Sequence, residues 1–295
     1  EQRREAAVWS GPSILVIGAA GSGVSTALHA LSGDDPLRVP DDPVAAWDAL
    51  AAVECAVDRD VLVDDLDALL ARLPLEYRTA SADRLAAALR DGARRGLRFA
   101  IGTRRITGEL QTVAALCAER LYLRHASRQD VLLAGGSGED HLPDLPVGGG
   151  VFHGRRVQVV HAAVAAAAAT EPEAAVLDER PLAVVSTRPS VIAATLPCRV
   201  LPLSVVADPL TIGPGDGLVG DPDEWQSRWG ALPALRQRAQ VVLDACGPAE
   251  FRALTRSREL PPLLPPGGRF AWRWEPDGSV VRVDLSQAST SARSA

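Results

Sequence analysis

Lysine is absent from this chain, and all 31 basic residues are arginine. A site that depends on a lysine ammonium cannot be built from these residues. Methionine is absent as well, which reads as a piece cut from a longer chain, and the weight of arginine and alanine reads as a GC-rich coding sequence. The four cysteines, Cys55, Cys117, Cys198 and Cys246, stand far apart in apolar surroundings. They lack metal-ligand spacing and are expected to be buried thiols of a cytosolic protein. No apolar run has the length and flanks of a membrane span, and no signal peptide is recognisable. The most apolar stretch, 157–170, is largely alanine and carries His161, so it reads as a strand running into an alanine-rich helix or linker. A net charge of −6 argues against a generally basic nucleic-acid-binding surface. The pairs Arg94-Arg95, Arg104-Arg105 and Arg155-Arg156 read as surface charge.

With 295 residues, 47% hydrophobic and 23% charged, the chain has the composition of a folded protein long enough for two domains. It is organised around residues 11–32. An apolar strand over 14–17 runs into the turn Gly18-Ala19-Ala20-Gly21-Ser22-Gly23, and a helix-forming run begins at Val24. Glycines allow the tight turn, and the N–H groups at the start of the helix can converge on an anion. Gly18 and Gly23 match the two glycines of G-x-x-x-x-G-K-[ST], with Gly21 and Ser22 inside the loop and Ser25 and Thr26 as hydroxyls. Val24 stands where the lysine belongs.

Further on, Gly33-Asp34-Asp35-Pro36 breaks the chain, and Asp42-Pro43 opens a helix through Trp47 and Leu50. Val61-Leu62-Val63-Asp64-Asp65 reads as a buried parallel strand with an acidic end. In phosphate-loop proteins such a strand is expected beside the first. Its first carboxylate helps to hold Mg²⁺ and the next acid positions the attacking water, which are the places of Asp64 and Asp65. An Asp cap on the helix starting at Leu66 is compatible with the same residues. A long amphipathic helix over 76–95 ends at Gly96. The strand over 97–103 ends in Thr103, either a sensor of the γ-phosphate or a strand-end turn residue. Helices over 109–117 and 128–133 flank a strand over 120–124, continuing an alternation that predicts a parallel sheet covered on both faces. Two glycine-rich segments, 135–138 and 146–150, read as turns before a strand over 156–161.

A composition shift marks a boundary, giving a first domain over 1–162, a linker over 163–179, a second lobe over 180–286 and a disordered tail over 287–295. The second lobe opens with a strand over 182–185 and a helix from Val191, like the opening of the first domain without its glycines. A loop rich in Gly, Pro and Asp is expected over 212–223, with Trp225 and Trp229 on one core-facing side of the helix after it. A strand over 240–244, a helix over 248–256 and a stiff proline segment over 261–266 follow. Pro276-Asp277-Gly278 then signals a hairpin. The expected fold class is α/β: a P-loop NTPase-like, mainly parallel sheet with helices on both faces, followed by a smaller α/β lobe ending in a β-hairpin.

Taken in order over residues 9–161, GAAGSGVST, VLVDDLDALLARLP, LRFAIGTRR and LLAGGSGEDHLPDLPVGGGVFHGRRVQVV resemble the FtsK/SpoIIIE family of motor ATPases. The likeness is to a C-terminal, degenerate ATPase module of the multi-module bacterial members, which include the type VII secretion ATPases EssC and EccC. In the family's closing stretch an arginine usually stands between the glycines, a place held here by Gly149. The resemblance implies ATP and Mg²⁺ as ligands and other ATPase modules of the same or neighbouring chains as partners. It implies DNA or a secreted protein as the cargo of the parent machine. It also implies a cytoplasmic position, tethered to the membrane through upstream parts and without membrane contact from this segment. Val24 for lysine, and Asp65 for the glutamate expected there, imply little or no hydrolysis, because catalysis in such enzymes is largely electrostatic.

Three functions stand open at this level. The segment is a pseudo-ATPase that regulates or scaffolds active modules, or a nucleotide-binding switch, or a docking module for peptide or DNA. In the switch, an arginine such as Arg104 or Arg105, or one from a neighbouring subunit, replaces the lysine.

Overall fold

A computed structural model describes residues 5–160 and 174–286. Most of the expected linker, and all of the tail, lie outside the described residues. The chain divides into two compact units, Glu1–Thr170 and Glu171–Ala295.

In the first unit β1 (Ser13–Ile17), wholly buried, leads through the glycine turn into α1 (Val24–Leu31). There follow β2 (Leu37–Val39), α2 (Pro43–Cys55), β3 (Asp60–Val63), α3 (Leu66–Arg72), α4 (Leu75–Gly92) and β4 (Arg98–Thr103). The unit continues with α5 (Gln111–Leu116), β5 (Glu119–Leu123), α6 (Arg128–Leu133), β6 (Gly149–Phe152) and β7 (Arg155–Gln158). Local signals account for several of these bounds. The Asp42 carboxylate accepts from the N–H groups of Val44 and Ala45 with Pro43 in the first turn, and Gly96, at φ +70°, takes the left-handed position after the helical run. The sheet order is β2-β3-β4-β1-β5-β6-β7, with the first five strands parallel and the last two antiparallel.

Three expectations about the first unit are corrected here. The acidic strand does not lie beside the first: β4 sits between them, Ile17 level with Thr103 and Val63 with Ile101. That places β1 and β3 two strand spacings apart, about 9.6 Å. The segment over 146–150 is also more than a turn, because Gly149 and Gly150 begin β6, joined to β7 through His153 and Gly154, both at positive φ. A side chain at Gly150 would meet the Tyr122 carbonyl oxygen at 2.6 Å, so glycine is what lets this strand pair closely. A third correction concerns Cys55. It is exposed, lying two residues beyond the buried Val53 and so off the inward stripe of α2. Burial pushes the thiols of Cys117 and Cys246 up to about 12.

The second unit contains β8 (Leu182–Ser186), α7 (Pro189–Ala193), β9 (Arg199–Pro202), β10 (Asp216–Gly220), α8 (Pro222–Ser227) and α9 (Ala231–Leu235). It closes with β11 (Gln240–Asp244), α10 (Pro248–Thr255), β12 (Phe270–Trp274) and β13 (Val280–Asp284). The order is β13-β12-β11-β8-β10-β9, parallel from β11 to β9, with the hairpin of β12 and β13 antiparallel at one side. The loop expected over 212–223 in fact contains β10. Its glycines serve close packing: a Cβ on Gly217 would stand 2.6 Å from the Cys198 sulfur, and one on Gly220 2.8 Å from Leu203 Cβ. The tryptophans do not share a helix face, because α8 ends at Ser227. Trp225 is buried, its indole N–H donating to the Val184 carbonyl at 3.0 Å, whereas Trp229 is 77% exposed with the Arg256 guanidinium 3.9 Å above its ring. No helix among the described residues is long and apolar enough to cross a membrane.

Candidate functional site

From β1 the chain fills one side of the sheet with β2, β3 and β4, then crosses to β5 on the other. Crevices at the carboxyl ends of parallel strands, where the order reverses in this way, are where such sheets bind ligands. The glycine turn sits in that crevice. Its root is bonded to both neighbours of β1, since Gly18 N–H donates to the Thr103 carbonyl at 3.3 Å and Ala19 N–H to the Arg124 carbonyl at 3.0 Å. Ser22 N–H closes a turn on Ala19 at 3.0 Å, and the Ser22 carbonyl accepts from Gly148 N–H at 2.8 Å. Gly23, at φ +99°, takes a backbone conformation that side chains rarely allow, and α1 begins directly after it without a side-chain cap. The N–H groups of the first helical turn therefore have no partner within the helix and face outward with the positive end of its dipole.

Above them lies a cavity of about 490 Å³. The loop contributes Gly18, Gly21, Gly23, Val24, Ser25 and Thr26 to its lining, which also includes Asp41, Asp64, Asp65, Thr103, Arg104 and Val147. Ser22 is not among them. It is fully buried beneath the loop with its hydroxyl against Gly18 and no hydrogen-bond partner. Half-buried Val24 both lines the cavity and packs against the core, its Cγ1 2.7 Å from where a Cβ on Gly102 would lie. Asp64 Oδ1 stands 3.0 Å from the same point. Gly102 thus lets the Asp64 carboxylate, just past the end of β3, approach the start of α1 across the intervening β4. Sequence reasoning passed over this residue, and its only signal was a lone glycine inside a buried strand.

Asp64 Oδ1 also accepts from the Asp65 N–H at 2.8 Å. Asp65 stands at the N-cap position of α3 in a left-handed conformation, φ +47°, and its side chain makes no cap bond. One of its oxygens is buried without a partner and the other receives Arg104 Nη2 at 2.5 Å. Loss of solvent pushes the Asp65 carboxyl above its ordinary range; Arg104 pulls it back, and Asp67 and Asp64 push it further up. A strained backbone, a raised carboxyl and a charge partner thus meet in one crevice. Thr103 lies at the edge of the cavity, but its hydroxyl is within reach of Asp67 Oδ1 at 3.0 Å and of the Arg105 carbonyl at 2.9 Å. The sequence singled out neither Asp41 nor Val147 for the site.

These residues fit a magnesium-bound polyphosphate in part. The free N–H groups and the open backbone at Gly21, where nothing would meet a Cβ within 4 Å, can cradle phosphate oxygens. Ser25 or Thr26, with Asp64, would hold Mg²⁺. The bound metal would supply charge neutralisation between phosphates. The loop itself supplies no cation. Among the described residues no cluster of His, Cys, Asp and Glu forms a metal centre independent of such a ligand.

No protein-family model and no curated protein sequence matches the chain. Solved structures do. The chain is similar to Thermomonospora curvata EccC (ATPases 2 and 3) in complex with a signal sequence peptide, at 8% identity and TM-score 0.41, over 92% of this chain and 81% of that one. It is similar to the cytoplasmic domain of the Thermomonospora curvata type VII secretion ATPase EccC at 12% identity and TM-score 0.40, over 96% of this chain and 63% of that one. It is similar also to the cytoplasmic domain of EssC at 12% identity and TM-score 0.36, over 92% and 93%. At these identities and TM-scores the likeness assigns no residue a role, and it extends over more than nine-tenths of the chain.

Proposed function

We propose that the first unit is a degenerate phosphate-loop ATPase module that accepts Mg-nucleotide at the end of β1 without hydrolysing it. In this reading it regulates or scaffolds active ATPase modules of an FtsK/SpoIIIE-like machine that moves DNA or exports protein. One observation carries the nucleotide part: the uncapped start of α1 faces a cavity of about 490 Å³ while the residue in the lysine position, Val24, packs down toward Gly102. An anion cradle is present and its catalytic cation is absent. Phosphoryl transfer depends on such a cation for charge stabilisation, so binding is retained far better than turnover. The partner modules and the cargo rest on the motif resemblance.

The test is titration of the whole chain with Mg-ATP by calorimetry, with phosphate release followed in parallel. Saturable binding with a dissociation constant of roughly 10 µM to 1 mM is expected, with phosphate release no faster than in buffer. Steady hydrolysis abolished by Asp64→Asn would make the unit a working enzyme. Absence of any heat or thermal shift at millimolar nucleotide would remove nucleotide from the reading.

A further inference from the structure

Among the described residues lining the cavity, three carboxylates, Asp41, Asp64 and Asp65, face one cation, Arg104. A nucleoside triphosphate brings further negative charge into that space, and one Mg²⁺ alone leaves the site electronegative. Arg104 is built to answer it. Its backbone is pinned, the N–H donating to Asp67 Oδ1 at 3.1 Å beside the anchored Thr103 hydroxyl. Its guanidinium is half exposed and held at a single carboxylate, Asp65, itself a third exposed. A fixed root with a free head can exchange one anionic partner for another, and a guanidinium matches phosphate oxygens as well as carboxylate oxygens. Arg105 does not line the cavity.

Resting on the nucleotide-binding reading above, we infer that Arg104 is the stand-in for the missing lysine: it leaves Asp65 for the terminal phosphate of a nucleoside triphosphate. Asp65 is released when the triphosphate arrives and recaptures Arg104 when a diphosphate is bound. The pair thus distinguishes the two nucleotides without hydrolysis, and the readout falls on the N-terminus of α3, where Asp65 sits.

Mg-ATP and Mg-ADP affinities of the wild type, Arg104→Ala, Arg104→Lys, Asp65→Asn and Val24→Lys test this, with melting of each protein measured without nucleotide to confirm folding. The expected result is a loss of at least about tenfold in Mg-ATP affinity for Arg104→Ala, with less than about threefold for Mg-ADP. Arg104→Lys is expected to fall between, and Asp65→Asn to tighten Mg-ATP by freeing Arg104. A wild type that binds both nucleotides while Arg104→Ala weakens neither, or both alike, overturns the inference and leaves the cradle standing. Binding by Val24→Lys alone does the same, since the cradle then works but Arg104 does not complete it. No binding by any of the five proteins overturns the cradle reading and the inference together.

Discussion

Replacing Val24 by lysine asks whether one side chain disables the loop. Val24 begins α1 and leans over Gly102 toward β4, within reach of the space that Asp64 enters from the other side. A lysine stem can follow the same path and carry its ammonium on toward the crevice. An ammonium about 4 Å from a phosphate charge gains about 4 kcal/mol at the effective dielectric of a partly exposed site. Fixing the long side chain costs up to about 2 kcal/mol in rotamer freedom. A net gain of about 2–4 kcal/mol remains, or roughly 30- to 900-fold in affinity. Before nucleotide is added the substitution should cost about 1 kcal/mol, part of the value of burying a valine, and lower the melting temperature of the first unit by about 2–4 °C. Calorimetry of Mg-ATP against wild type and Val24→Lys reads the first number, and thermal melting reads the second. A variant that melts within that range yet binds Mg-ATP no more tightly would refute the idea that the missing cation limits this site.

Gly102→Ala would place a methyl group 2.7 Å from Leu28 Cδ1 and Val24 Cγ1 and 3.0 Å from Asp64 Oδ1, so a loss of about 1–3 kcal/mol is expected in a melt, together with loss of nucleotide binding. Stability and binding both unchanged would show that β4 has room to give. Asp65→Asn should stabilise the first unit at pH 7 by roughly 1–3 °C, since asparagine accepts the left-handed backbone and removes a desolvated charge. The Asp65 carboxyl is held above its ordinary value, so the wild-type acid favours folding in its protonated form and loses that contribution as pH rises through its folded value; the advantage of Asn should fade below about pH 4, and an advantage constant from pH 3 to 8 would count against this cause. In the second unit Trp225→Ala should cost about 3–5 kcal/mol and Trp229→Ala less than about 1 kcal/mol; equal costs would contradict their different burial.

Much of the fold was legible where local chemistry decides it. The glycine turn before Val24, the Asp42-Pro43 helix start, the Gly96 stop and the Pro276-Asp277-Gly278 hairpin each carry a backbone instruction within a few residues. Sheet order was a different matter. Nothing within Val61-Leu62-Val63 says which strand will lie next to it, and the insertion of β4 depends on pairings made across tens of residues. Glycine was the other source of error. At Gly217 and Gly220 it was read as a turn signal, whereas Cys198 and Leu203 press against those positions in a buried strand. The loop and the acids Asp64 and Asp65, read from spacing, line one cavity. Gly102, Asp41 and the packing of Val24 toward Gly102 were not read from it, because each takes its meaning from a neighbour distant in sequence.

The second unit shows why the nucleotide reading belongs to the first. It too has a central parallel strand, β8, with β10 on one side and β11 on the other, and its carboxyl end also opens at a reversal of strand order. There the chain turns through Thr187 and Arg188 into Pro189, so the first helical position brings no N–H, and α7 has five residues with little dipole to offer. The ground above the strand is already taken. Ser186 donates to Asp244 Oδ2 at 2.7 Å and accepts from Arg188 N–H at 3.0 Å, while Arg188 Nη2 reaches Asp244 Oδ1 at 3.4 Å. Asp244 has 1% of its side chain exposed, and a carboxylate so buried holds its partners firmly because leaving them unpaired is costly. A phosphate would have to displace that carboxylate from its arginine without a cradle to receive it. In the first unit Arg104, at the end of the neighbouring strand β4, holds an acid that lines an open cavity, and α1 begins with free N–H groups. The two sheets therefore differ in what they offer an anion, a difference set by whether glycine or proline opens the helix and by how deeply the arginine's acid is buried.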